Sequence, residues 1–170
     1  FNYRHYHLSA GMRPNGALRI FMNHTFGDLI DYANARQATV LSFNPGIEYR
    51  LGRRLSMDID HTWENLEVGD GLGLYTANIG NVRLVYQFNR RTFVRANAQY
   101  VYYERDAGLY RDEVDPRTKK LSGQLLFSYK INPQTVVYLG YSDNYFGFQG
   151  VDLTQTDRTF FVKFGYAWVL

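Results

Sequence analysis

The residues of this 170-residue chain with the most chemistry in them are charged side chains that recur two positions apart inside strand-like segments. Asp58, Asp60 and Glu64 alternate in this way, as do Arg50, Arg83 and Arg95, and Arg19, Glu48, Lys130 and Lys163 hold equivalent positions. Charges arrayed along one wall of a water-filled path select the ions that cross it, as charged rings do in pores. The same array can instead close into a cross-strand ion-pair network that fills the interior. Residue types alone leave both open.

Other constellations carry less. His5 and His7 share a face, but two histidines do not make up the ligand set of a metal centre. Asp143, Asn144, Asp152 and Asp157 offer the oxygens a hard cation takes, without the spacing of a calcium loop, and read as solvated polar residues around an outer connection. Hydrolysis would need a nucleophile beside a base, or paired acids, at one rim. His24 and His61 fall on apolar positions, where girdle or packing roles fit better, and no Ser/His/Asp spacing stands out. No catalytic residue, metal or cofactor is expected, and the chain is not expected to be an enzyme.

These charges need strands to position them. The chain holds 15 Tyr and 12 Phe and is 45% hydrophobic, yet mean hydropathy is −0.38. Apolar and polar residues must therefore be interleaved. No apolar run approaches the roughly 20 residues of a membrane-spanning helix, which excludes a helical membrane protein. With no cysteine there is neither a disulfide framework nor a thiolate metal site. The net charge of +3 is small and its basic residues are scattered, so nucleic acid is not an expected partner.

Alternation with a period of two marks nine strands of an all-β, antiparallel, up-and-down transmembrane barrel. Short turns at Arg13–Gly16, Gly52–Arg54, Asn89–Arg91 and Asn132–Gln134 are expected to alternate with long connections at Asp28–Gln37, Gly69–Leu74, Arg105–Lys120 and Phe146–Thr154. The Asp106–Lys120 stretch is expected to face outward as a solvated loop, with Arg117, Lys119 and Lys120 able to meet lipopolysaccharide phosphates. Pro45 cannot donate to a ladder, which predicts a bulge at Pro45–Gly46.

A soluble barrel alternates too, with its apolar face inside. The charges on the polar face decide against it, because a small closed core could not solvate them. Near the short turns Tyr49, Tyr86, Tyr129 and Tyr166 recur one hairpin apart, each followed two residues on by a large apolar residue, Trp168 in the last case. An amphipathic ring at one level is what a girdle at a membrane boundary requires. The closing strand keeps an apolar face from Phe160 to Leu170, and its Lys163, Gly165, Trp168 and Leu170 resemble the C-terminal insertion signal of outer-membrane barrels, with Leu where Phe is usual.

Nine strands with the last ending at the short-turn side would leave Phe1 at the long-loop side. Bacterial single-chain barrels have even strand numbers, and open edges are not tolerated in lipid. The expectation is that residues 1–170 form one barrel segment, the C-terminal part of a larger barrel, with earlier strands and a leader removed by processing or truncation.

The stretches Ser128–Pro133, Tyr138–Tyr145 and Leu153–Phe161, ending in Tyr166-Ala-Trp168, resemble the C-terminus of a bacterial outer-membrane family in which a family-nine-like carbohydrate-binding domain precedes a large barrel. The likeness is densest over about the last fifty residues. It implies an outer-membrane location and a barrel of more than nine strands, and it assigns sugar binding to no residue here. The expected partners are the lipid bilayer, lipopolysaccharide, the barrel assembly machinery during insertion, and other chains of an outer-membrane complex. The leading functional expectation is a Gram-negative, porin-like pore or transport barrel for small solutes. The alternative is a structural or docking barrel without open conduction.

Overall fold

The computed structural model describes residues 4–32, 34–69 and 71–168. Its elements are β1 (His5–Met12), β2 (Leu18–Asp31), β3 (Arg36–Leu51), β4 (Leu55–Val68), β5 (Leu72–Gln87), β6 (Thr92–Arg105), a single 3-10 turn (Ala107–Leu109), β7 (Arg117–Asn132), β8 (Thr135–Phe148) and β9 (Val151–Tyr166). They form one nine-stranded antiparallel sheet in sequence order, and β1 and β9 are its two unpaired edges among the described residues. Of the proposed insertion signal, Leu170 lies outside the described residues.

The turn end of the sheet is built by asparagines. Asn15 Oδ1 accepts from the N–H groups of Ala17 and Leu18, both at 2.9 Å, and Asn132 Oδ1 accepts from Gln134 and Thr135 at 2.9 and 2.8 Å. Asn89 does the same for Arg91 at 2.8 Å. A short amide that mimics the backbone in this way reverses the chain in few residues.

The opposite, loop end departs from expectation. Its connections are residues 32–35, 69–71, 106–116 and 149–150, so only the third is long. Strands β2, β3, β5, β7, β8 and β9 run on into segments that read as loops. Apolar alternation fades where the bilayer ends, whereas ladder hydrogen bonds do not need apolar side chains. A 16-residue strand rises about 37 Å at about 3.3 Å per residue and a tilt near 45°, well beyond an apolar band of about 25 Å.

The expected bulge at Pro45 is also absent. Register runs unshifted past it, from Phe43 opposite Trp63 to Gly46 opposite Asp60. The Asn44 side chain donates to the His61 carbonyl at 3.3 Å and to Thr62 Oγ1 at 2.9 Å, supplying next to proline the donor that proline lacks. Register shifts fall instead at Leu66/Glu67, Lys130/Asn132, Asn144/Tyr145 and Phe146/Phe148.

Two glycines are fixed by an aromatic ring laid against them. The Phe21 ring lies over Gly46 and the Phe161 ring over Gly140, where a Cβ would collide with the ring. An aromatic ring laid across a strand glycine shields the bare backbone and pins the pairing.

Among the described residues the packed core sits on the polar side of the sheet at the loop end. Ala38, Val40, Leu66, Val68 and Leu74 are at most 4% exposed, and Leu29, Tyr75, Leu109 and Tyr110 pack against them. Leu109 and Tyr110 belong to the β6–β7 loop. The loop is therefore folded inward over β3–β5, not outward into solvent, and Arg117, Lys119 and Lys120 lie in β7.

Candidate pore wall

Cross-strand register turns the alternating charges into rows. Arg19, Glu48, Asp58, Arg83, Asn97, Gln124, Ser142 and Thr159 stand opposite one another across β2 to β9, and every one is polar. The next row toward the loop end runs Asp60, Asn81, Gln99, Ser122, Asn144 and Asp157. Between the rows lies an open groove of about 470 Å³ lined by Asp58, Asp60, Asn81, Arg83, Gln99 and Gln124, among others.

Within this wall hydrogen bonds link neighbours while leaving polar capacity unused. Gln99 Nε2 donates to Asn81 Oδ1 and Asn81 Nδ2 to Asp60 Oδ2, both at 2.8 Å. Asn23 Nδ2 donates to Asn44 Oδ1 at 3.1 Å, and the Tyr75 hydroxyl to Glu64 Oε1 at 2.7 Å. Arg19 pairs directly with Glu48. Asp58 is opposite Arg83, yet among the described residues no ion pair joins them. At this height the wall is thus a hydrogen-bonded ladder with one ion pair among the described residues, not a closed ionic network.

Height along the strands separates the charges that the sequence groups together. Arg50 is opposite Ser56, Arg95 opposite Val85 and Leu126, Lys130 opposite Val136, and Lys163 opposite Tyr138. All four lie closer to the turn end than the Arg19–Glu48–Asp58–Arg83 row, out of register with the carboxylates of Asp60 and Glu64. The turns beyond them add Arg13, Arg53, Arg54, Arg90 and Arg91, and no Asp or Glu stands in this third of the sheet.

The opposite face is apolar. Ile20, Ile47, Ile59 and Val82 form one register row, and each is at least 36% exposed. Tyr49, Tyr86, Tyr129 and Tyr166 all lie on this face near the turns, opposite Met57, Val94, Val137 and Thr135 respectively. Tyr86 meets Phe88 edge-on at 4.8 Å, and Tyr166 meets Trp168 edge-on at 5.5 Å.

Sequence reasoning missed a second aromatic layer. Tyr6, Phe26, His24, Phe43 and Trp63 form a continuous band across β1–β4, with successive centroids 5.2, 5.1, 4.2 and 6.0 Å apart. On β3 it lies six residues beyond Tyr49, nearer the loop end. The signal was the shared parity of these rings, which only register converts into adjacency.

The oxygen-rich group around Asp143 does not assemble. Asn144 Nδ2 donates to Asp157 Oδ1 at 2.8 Å on the polar face, whereas Asp143 lies on the apolar face. There its carboxylate accepts from the hydroxyls of Tyr141 and Tyr145 at 2.8 and 3.0 Å, from Arg158 at 3.2 Å, and from Gln155. Four donors around one carboxylate, one of them a cation, make a charge tolerable on a greasy surface. His7 is likewise engaged, with Thr25 Oγ1 at 3.0 Å and Ser9 Oγ at 2.9 Å. Among the described residues no cluster of three or more His, Asp or Glu is placed to hold a metal ion.

At the loop end the inward loop is clasped by polar contacts. Arg36 Nη2 donates to the Leu109 carbonyl at 2.6 Å, Arg111 N–H to Asn34 Oδ1 at 3.0 Å, and Asp106 N–H to the Leu74 carbonyl at 3.1 Å. Asp31 anchors both clasp residues, accepting from Arg36 Nε at 3.0 Å and from Asn34 Nδ2 at 2.6 Å. Burial in this patch pushes the Tyr110 hydroxyl above its ordinary range.

An up-and-down antiparallel sheet with one polar and one aromatic, apolar face defines the class: an outer-membrane β-barrel wall. Solved structures agree. OmpT of Vibrio cholerae, folded in vitro, superposes with a TM-score of 0.65 at 16% identity over 98% of this chain and 56% of its own. Its trimer form gives 0.65 at 17% identity, and the form expressed in the outer membrane gives 0.63 at 16%. At such identities the likeness is one of fold, and it accords with the outer-membrane location expected from the sequence. The chain spans about half the length of these neighbours, 56% in each case. No known protein-family profile and no curated protein matches it.

Proposed function

We propose that this chain supplies the greater part of the wall of a pore for small polar solutes in the bacterial outer membrane. The observation that carries the reading is the unbroken polar row from Arg19 to Thr159. Among the described residues no apolar layer covers its centre, and amides, hydroxyls and charges at this density call for water. Nine strands over 56% of a neighbour's length scale to about sixteen in the whole barrel, wide enough for an aqueous lumen. In this reading Arg19, Glu48, Arg50, Asp58, Asp60, Glu64, Arg83, Arg95, Lys130 and Lys163 line the lumen, and Tyr49, Tyr86, Tyr129, Tyr166 and Trp168 form the girdle at the periplasmic boundary.

The role is that of a conduit, not an enzyme. His24, the candidate base, is stacked 4.2 Å from Phe43, with its Nδ1 3.0 Å from the Ser42 carbonyl on the greasy face. The resemblance of the last fifty residues to barrels with a family-nine-like carbohydrate-binding domain fits the same role and would place such a domain ahead of the barrel. Lipid, lipopolysaccharide, the assembly machinery and further chains are its partners in this reading. The trimer form of the Vibrio cholerae neighbour motivates assembly into trimers here. One observation favours a plugged docking barrel instead: the β6–β7 loop is clasped over the polar face. Planar-bilayer recording of the intact protein separates the two. Discrete, ohmic steps are expected at high salt; folded, inserted protein that never conducts would establish the plug.

A further inference from the structure

The two ends of the polar face carry opposite charge, and we propose that the pore is an ionic rectifier, passing more current in one direction than in the other. The inference rests on the pore reading above and concerns the order of charges along the path, not their presence. At the turn end Arg50, Arg95, Lys130 and Lys163 line the wall without a single carboxylate among them. Arg95 Nε is buried and has no hydrogen-bond partner among the described residues, so the protein leaves this part of the cation unanswered.

At the loop end the balance reverses. Asp60, Glu64 and Asp157 are on the wall, and the inward loop adds Asp112, Glu113 and Asp115 at the mouth. Lys120 is a counter-charge on that wall, set over the Phe146 ring at 5.6 Å. Arg36 is paired with Asp31, whereas Arg105, bonded to the Asp115 carbonyl and Thr118, and Arg111 of the loop keep their charge, so the six carboxylates named face three cations, Lys120, Arg105 and Arg111. Between the ends the Arg19–Glu48–Asp58–Arg83 row sets two cations against two carboxylates and is neutral.

A lumen that is negative at one mouth and positive at the other draws cations in from the first and anions from the second. A voltage positive on the loop side drives both toward the neutral row, where they accumulate and conductance rises. The reverse voltage draws both away, and the centre is depleted. The effect depends on the wall charges reaching across the lumen. It must therefore be strong where the Debye length is about 30 Å, at 0.01 M salt, and vanish where it is about 3 Å, at 1 M.

The test is the single-channel current of the intact protein in potassium chloride, read at equal and opposite voltages. Orientation is assigned with Asp112→Cys, the sole thiol of the variant, using a water-soluble thiol reagent too large to cross the lumen, which reaches it from the loop side only. In 0.01 M salt the expected ratio is about twofold or more, with the larger current when the loop side is positive, falling to about one at 1 M. Arg50→Gln, Arg95→Gln, Lys130→Gln and Lys163→Gln together should abolish it. Should that variant fail to fold, the salt series on the unaltered protein decides alone. A symmetric current at 0.01 M, or the larger current at the opposite sign, overturns rectification and leaves the pore reading standing. The absence of any current overturns the pore reading itself.

Discussion

Two regions of one sheet face answer water differently. At mid-height, between Asp58 and Gln124, the polar face is a ladder of amides and charges around an open groove. About half a strand further on, the same face carries Ala38, Val40, Leu66 and Val68, all nearly buried, and the β6–β7 loop closes over them through Leu109 and Tyr110. Side-chain parity sets which way a residue points. What it meets there depends on what the chain lays on top.

Emptying the covered patch should have the largest effect. Leu74→Ala removes a side chain only 1% exposed and should cost about 2–5 kcal/mol in reversible unfolding, whereas Gln99→Ala in the open wall should fall within about 0.5 kcal/mol of the parent. Equal losses would mean that the loop does not seal its patch. Next comes the apolar face, where Ile59→Arg should cost about 2–4 kcal/mol near the bilayer midplane while Gln124→Arg on the opposite face costs little.

The covered patch should also open at high pH. Burial raises the Tyr110 hydroxyl, with help from the Asp31 carboxylate and against Arg105 and Arg36. A raised folded value means stability fully present below the free tyrosine range, about pH 10, and lost as pH climbs through the folded value. Protease cleavage within residues 106–116 should therefore accelerate above about pH 10 in the parent, and less in Tyr110→Phe. Cleavage that tracks pH identically in both would remove Tyr110 from the clasp. The smallest effect is expected at Asn44→Ala, which takes away the donor covering for Pro45 and should cost about 0.5–1.5 kcal/mol, with amide exchange increasing near His61.

How much of this was legible follows the same division. Ile47, Glu48, Tyr49 and Arg50 assign the strand, both faces and the tyrosine level by parity alone. Parity says nothing about height, so Arg95 and Asp60 look like partners in the sequence and lie at different levels in the sheet. The inward loop was hidden for a different reason. Leu109 and Tyr110 sit in a mixed-charge stretch with no period, and their target, Val40 and Leu66, is visible only as a local failure of alternation. The strand ends beyond the bilayer, such as Leu72–Leu74 of β5, read as connections because ladder pairing there is no longer accompanied by a greasy face.

The central claim is that the ladder face meets water and the aromatic face meets acyl chains. The cysteine-free sequence allows single cysteines to be placed at Asn97 and Gln124 on one face and at Leu84 and Leu125 on the other. In the intact protein inserted in lipid vesicles, the first two should react with a charged, water-soluble thiol reagent. Probes attached at Leu84 and Leu125 should be quenched by brominated acyl chains. Reactive Leu84 and Leu125 sites beside quenched Asn97 and Gln124 sites would contradict the account.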